Sequence, residues 1–214
     1  MILFDQRTQF GNNPNLISNK QLQLEVASSL GMVIPQTLVT SDATEVEEFR
    51  AKLRGNMVVK PLAKHIVKDG NKVRAVFTSR ISPASSIDLT LLASSPAIFQ
   101  EEIERAFDIR TVVLEDKVFS MSIQQIGSKA GDVDYRYGPA GELVFKKHEL
   151  PADLSWKCVE LVKGFGLRFS AMDFILAKDG TYYFLESNPC GAWLFVQRGC
   201  GYEISKVIAE VLSC

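Results

Sequence analysis

The apolar positions of this chain change period several times, and each change marks an element. Over residues 18–30, Leu22, Val26 and Leu30 recur at helical spacing, and Gly31 stands where a helix commonly stops. A strand is expected at 36–40. Ser41 or Asp42 suits the cap of a second helix, whose acidic first turn holds Glu45, Glu47 and Glu48 and which Gly55 closes. Residues 57–60 read as a short buried strand ending at Lys60-Pro61. From 62 to 72 the composition turns polar and predicts a mobile loop, followed by a strand over 74–80. A helix at 86–93 and strands at 97–102, 109–114 and 118–124 come next, and the glycine-rich residues 127–141 predict irregular backbone. Beyond lie a strand at 143–147, a helix over 151–165, strands at 171–177 and 181–187, and a helix at 202–212. Helices and strands mix without strict alternation and several neighbouring strands look like hairpins. The fold class is therefore α+β with mainly antiparallel sheets.

At 214 residues the chain is one large domain or two small ones. Hydrophobic residues make up 46% and charged residues 23%, the balance of a folded chain and not of a disordered one. Lys and Arg (24) nearly cancel Asp and Glu (25), so the basic excess expected of a partner of nucleic acid or of an anionic membrane is missing. No apolar run approaches the ~18–20 residues that span a bilayer, and a cytoplasmic protein is expected. Cys158, Cys190, Cys200 and Cys214 form no CxxC pair, and with two histidines (His65, His148) the expectation is reduced, mostly structural thiols without zinc.

Residues 171–188, AMDFILAKDGTYYFLESN, carry the sharpest local inference. Asp179-Gly180 between two apolar runs is a strong signal for a two-residue hairpin turn. If Lys178 pairs with Thr181, Asp173 faces Glu186 directly, with Cβ atoms about 4.5–5.5 Å apart. Asn188 lies two residues beyond Glu186 and projects from the same face. Two facing carboxylates repel, so a cation is expected between them. Two carboxylates and an amide carbonyl are ligands for a hard cation that keeps positions for water and phosphate, as Mg²⁺ does. An ordinary hairpin with a solvated polar face has the same pattern. Lys60, ending an apolar strand beside a polar loop, suits phosphate or is a surface lysine at a strand end. Arg110 sits inside a strand pattern, where a guanidinium is expensive unless it is edge-exposed or meets an anion.

The order of features over residues 19–212 resembles the ATP-grasp superfamily of carboxylate–amine ligases. Asn19-Lys20 opening a helix, then GMVIPQT over 31–37, is similar to the entry to that family's nucleotide-binding region. Val58-Val59-Lys60-Pro61 resembles the strand whose lysine meets the α- and β-phosphates. Phe99-Gln100-Glu101-Glu102-Ile103 resembles the hinge whose main chain reads adenine, and Asp108-Ile109-Arg110 the strand start of the RimK-type branch. Asp173 with Glu186-Ser187-Asn188-Pro189 matches the D…ExN metal signature. Finer stretches, NKQLQL at 19–24, Asp134-Tyr135-Arg136 and Ala192-Trp193, resemble the microviridin-type ligases that close ester or amide crosslinks in ribosomally made peptides.

The resemblance implies two α+β lobes clasping ATP: a small lobe at 34–94 and a C-terminal lobe with the metal site at 95–214. Residues 1–33 would be a linker with a helix, and the resemblance leads to the expectation that the domain usually preceding it is largely absent here, the chain being either a fragment or a reduced homologue. It implies ATP and Mg²⁺ as cofactors, with Asp173, Glu186 and Asn188 as metal ligands. Lys20, Lys60, Gln100, Glu101, Glu102, Ile103 and Asp108 would bind the nucleotide, though Asp108 is equally suited to pair with Arg105. Arg110 and Arg136 would steady an acyl phosphate formed on a substrate carboxylate while a hydroxyl or amine attacks it; Arg136 also reads as a solvated loop arginine. The expected partners are a precursor peptide or a small carboxylate substrate, and a second copy of the chain. A RimK-type amino-acid ligase, a small-molecule kinase on the same scaffold and a module that binds nucleotide or peptide without turnover are the other readings.

Overall fold

The computed structural model describes residues 19–53, 55–62, 66–69, 72–75, 78–81, 96–126 and 142–213. The chain divides into two units, one over residues 35–104 and one over 19–34, 105–126 and 142–213. Helix α1 (Lys20–Ser29) opens the second of these. Asn19 Oδ1 accepts the Leu22 amide at 2.9 Å, a cap that contributes about 1 kcal/mol. Gly31 ends the helix at φ +77°, where a side chain would be strained.

In the unit of residues 35–104, strand β1 (Thr37–Thr40) leads into α2 (Ala43–Lys52), capped by Asp42 through a 2.7 Å bond from the Thr44 amide. Then come β2 (Met57–Pro61), β3 (Ile66–Asp69), β4 (Lys72–Ala75), β5 (Ser79–Ile81) and β6 (Ala97–Glu101). β1, β6, β2 and β5 form one antiparallel sheet in that order, and Val46, Met57, Ile81 and Phe99 make its core.

Three expectations are corrected here. The polar stretch 62–72, expected as a mobile loop, contains β3 and the start of β4. Asp69 pairs with Lys72 across Gly70-Asn71, residue types that favour two-residue turns, so polar flanks hid a hairpin signal. The single strand expected over 74–80 is two, β4 and β5, and β5 pairs with β2. β6, expected in the C-terminal lobe, pairs with both β1 and β2, so the small unit extends to residue 104. The helix expected at 86–93 and the stretch 127–141 lie outside the described residues.

The larger unit carries β7 (Arg105–Leu114), β8 (Lys117–Ile126), β9 (Glu142–His148), β10 (Phe169–Ala177) and β11 (Tyr182–Asn188), antiparallel in the order β11-β10-β7-β8-β9. One face of this sheet meets α1 and α3 (Ala152–Gly164). Leu154, Cys158, Leu161 and Val162 recur at helical spacing on α3 and pack with Leu24, Ala27, Ile109, Met172, Phe174 and Phe184. The opposite face, by strand alternation, presents Arg110, Met121 and Asp173. There α4 (Leu194–Cys200) lies on β8 and β9, close enough that a Cβ on Gly199 would meet Met121 Sδ at 3.1 Å. Seven residues with an internal glycine and no side-chain cap gave α4 no sequence signal. α5 (Ile204–Ser213) closes the chain. Among the described residues no helix is long and apolar enough to cross a membrane.

Candidate functional site

Asp173 pairs with Glu186, but not by the turn the sequence suggests. The closing pair is Ala177 and Thr181, joined by a 2.8 Å bond from the Ala177 amide, so Lys178-Asp179-Gly180 form a three-residue connection. Gly180 takes φ +89° and donates to Ala177 O at 3.0 Å, the arrangement in which a glycine follows a tight turn. Near the turn Leu176 faces Tyr182, Ile175 faces Tyr183 and Phe174 faces Phe184. Continued unbroken, that register would set Leu185 against Asp173 and turn Glu186 to the other face. Instead the ladder shifts by one residue, leaving Leu185 as a bulge, and Asp173, Met172 and Ala171 face Glu186, Ser187 and Asn188.

The pairing continues across the sheet. Asp173 also faces Arg110 on β7, Arg110 faces Met121 on β8, and Met121 faces Lys147 on β9, so one transverse row runs Glu186, Asp173, Arg110, Met121, Lys147. Arg110 Nη1 donates to both Asp173 oxygens, at 2.8 and 2.9 Å. Lys20 Nζ, at the start of α1, lies 3.1 Å from Glu186 Oε2. Each of the two adjacent carboxylates thus has its own cation, which offsets their mutual repulsion. Arg110 is buried, with Nη2 on Ala192 O at 3.1 Å and its guanidinium 5.9 Å from the centre of the Phe195 ring. Its Nε is buried and has no hydrogen-bond partner, a donor left for an acceptor to meet.

After β11 the chain turns tightly over Asn188-Pro189-Cys190-Gly191. Asn188 Oδ1 accepts the Cys190 amide at 3.0 Å and keeps a second lone pair, and Asn188 O accepts the Gly191 amide at 3.0 Å. Gly191 is required here for space, because a Cβ would stand 2.6 Å from Arg110 Nη2. Asp173, Glu186 and Asn188 share one face of β10 and β11, an oxygen-only donor set that suits a hard cation better than a soft one. Asp108 lies two residues before Arg110 on the same face and accepts from Arg105 Nη1 at 3.1 and 3.3 Å.

In the smaller unit, Lys60 stands half-buried on β2 opposite Ile98. Gln100 is buried and its Nε2 donates to Thr37 Oγ1 at 2.8 Å. Glu101 accepts the Gln36 amide and the Gln36 side chain at 3.0 and 3.1 Å, and Glu102 binds Arg80 through both oxygens. The amides of Glu101 and Glu102 donate to Gln36 O and Asn56 O at 3.0 and 2.9 Å, so both are already used within the fold. Ile103 is buried. Arg136, with Asp134 and Tyr135, lies outside the described residues.

Away from the row and among the described residues, Cys158 is buried, Cys190 exposed and Cys200 half-buried, and none of these is in a disulfide. Burial pushes the Cys158 thiol up to about 12. His148 Nε2 and Tyr182 Oη lie 2.8 Å apart; burial lowers the histidine pKa and raises the tyrosine's. Sequence reasoning missed Gly191, Phe195 and the Ala192 carbonyl, which together seat Arg110, and Gln23, whose Oε1 accepts the Ser187 amide at 2.8 Å.

No family model and no curated protein matches the chain. Solved structures do. An ATP-grasp ligase associated with ribosomally made modified peptides, from Chryseobacterium gregarium and solved with ADP and a leader and core peptide, superposes with a TM-score of 0.82 at 26% identity over 95% of this chain. The ATP-grasp fold is established. The macrocyclase MdnC of Microcystis aeruginosa MRC, bound with precursor peptide MdnA, follows with TM-score 0.78 and 30% identity over 93% of the chain, and the macrocyclase MdnB of the same organism with 0.72 and 32% over 94%. The likeness to ring-forming peptide ligases read from the motifs is thus present in the fold as well. The chain spans 62% of the length of each of these three structures. The two antiparallel units and their helices make the ATP-grasp fold here α+β, as expected.

Proposed function

We propose that this chain uses ATP to activate a carboxylate, a side chain of a ribosomally made precursor peptide, as an acyl phosphate that a hydroxyl or amine then attacks to form an ester or amide crosslink. The observation that carries the proposal is the row in which Asp173, beside Glu186, is held by a buried Arg110 whose Nε has no partner. Asp173, Glu186 and Asn188 would hold Mg²⁺, which when bound neutralises charge on the transferring phosphoryl group. Arg110, held by Asp173, Ala192 O and Phe195, would supply a fixed positive charge beside the developing oxyanion. Lys60, and Arg136 beyond the described residues, would bind phosphate oxygens. Glu101 and Glu102 with their neighbours Gln100 and Ile103 would line the nucleotide, as would Lys20 and Asp108 in part.

Support for a peptide substrate comes from the likeness to the macrocyclases MdnB and MdnC and to the Chryseobacterium gregarium ligase, the last two solved with peptides. The test is mass spectrometry of a microviridin-like precursor peptide incubated with the chain, ATP and Mg²⁺. Loss of one water per bond with release of ADP and phosphate is expected. A product that gains a phosphoryl group would make the chain a kinase, and an unchanged peptide with unchanged ATP would leave only a binding module.

A further inference from the structure

Strand β11 carries two of the three proposed metal ligands, Glu186 and Asn188, at the edge of its sheet, and two of its amides donate away from β10. The Phe184 amide donates to Val33 O at 2.9 Å and the Ser187 amide to Gln23 Oε1 at 2.8 Å. In an unbroken edge strand outward amides recur at every second residue. Here they are three apart, because the bulge at Leu185 inserts one residue between them. Gln23 and Val33 therefore bracket the bulge that sets Glu186 opposite Asp173.

We infer that Gln23 is a positioning residue for Glu186: by accepting the Ser187 amide it holds the bulged register in which both acids share one face. The inference rests on the proposed metal role of those acids. Without the bulge, Phe184 and Glu186 would present the outward amides and Ser187 would turn toward β10, withdrawing its N–H from Gln23. Gln23 is only 2% exposed and Ser187 4%, so water has little access to replace that bond. Lys20 lies one turn before Gln23 on the same helix and grips Glu186 Oε2, so α1 fixes both the backbone and the carboxylate of the metal strand. Ser170 Oγ and Ser187 Oγ, 2.7 Å apart and buried, hold the same point from β10.

The experiment is Mn²⁺ binding to the full 214-residue chain, followed by electron paramagnetic resonance, in the Gln23→Met and Gln23→Glu variants. Leu161→Ala, in the α3 core away from the row, serves as a destabilised control. Gln23→Met keeps the shape and removes the acceptor; Gln23→Glu keeps an acceptor. The expected result is at least a tenfold rise in the Mn²⁺ dissociation constant for Gln23→Met, with Gln23→Glu and Leu161→Ala within about threefold of the parent. Parental affinity in Gln23→Met, while Glu186→Gln loses the ion, overturns the role of Gln23 and leaves the metal reading standing. Parental affinity in Glu186→Gln overturns both. Should Gln23→Met not fold, Gln23→Asn, whose shorter amide falls short of the Ser187 amide, takes its place: weakened Mn²⁺ binding supports the inference, and parental affinity overturns it.

Discussion

A Cβ placed on Gly191 would stand 2.6 Å from Arg110 Nη2 and 2.5 Å from the Ala171 Cβ. Neither neighbour has room to give, because Ala171 is fully buried and Arg110 is pinned by Asp173 and Ala192 O. Gly191→Ala should therefore lose stability by about 1–3 kcal/mol, as overpacked sites do. It should also move the guanidinium off Ala192. Urea unfolding with peptide-dependent ATP turnover measured in parallel checks this, and unchanged values for both would show that the turn relaxes freely.

Arg110→Lys keeps a positive charge but loses the fork that reaches both Asp173 oxygens and the Ala192 carbonyl at once. Turnover should fall about 10²-fold, the scale of losing one oxyanion donor, while the Michaelis constant for ATP changes little. Steady-state kinetics with varied ATP and peptide read the two apart. A variant that raises only the Michaelis constant for ATP would place Arg110 in ground-state nucleotide binding.

His148 pairs with Tyr182, and burial lowers its pKa. Its neutral form is thus favoured by folding, and the unfolded chain binds more protons. The stability it contributes is complete above the ordinary histidine value of about 6.5 and declines as pH falls below that value. His148→Gln should flatten this part of the stability profile. Thermal melts between mildly acid and neutral pH in the two proteins measure the slope, and identical slopes would remove His148 from the acid response.

Cys158 is buried with its thiol pushed up to about 12, whereas Cys190 is exposed in the turn after Asn188. Brief treatment with iodoacetamide at mildly alkaline pH should alkylate Cys190 and spare Cys158. Peptide mapping reads the order directly, and early labelling of Cys158 would mean that α3 opens from the sheet.

Most strands and helices were legible because their apolar period was clear: α1, α2, α3 and α5 and, β5 apart, the strands of the two larger sheets lie close to where patterning puts them. The β3–β4 hairpin was not, because its strands are too polar to read as strands. The opposition of Asp173 and Glu186 was legible for an incomplete reason. The sequence suggests a two-residue turn and a regular ladder; the molecule uses a three-residue turn and a bulge, two one-residue departures that cancel. Bulges have no local composition signal of their own, and this one is held by residues about 160 positions away in sequence, at α1. The seat of Arg110 was hidden for the same reason, since Gly191 and Phe195 matter through contacts across the sheet and not through their neighbours in the chain.

The most direct test of the account is the position of the metal itself. Crystals of the chain grown with ADP and Mn²⁺, measured at the manganese edge, should give an anomalous peak within coordination distance of Asp173, Glu186 and Asn188 oxygens. A peak bound elsewhere, with Arg110 and Lys20 still closing both carboxylates, would contradict it.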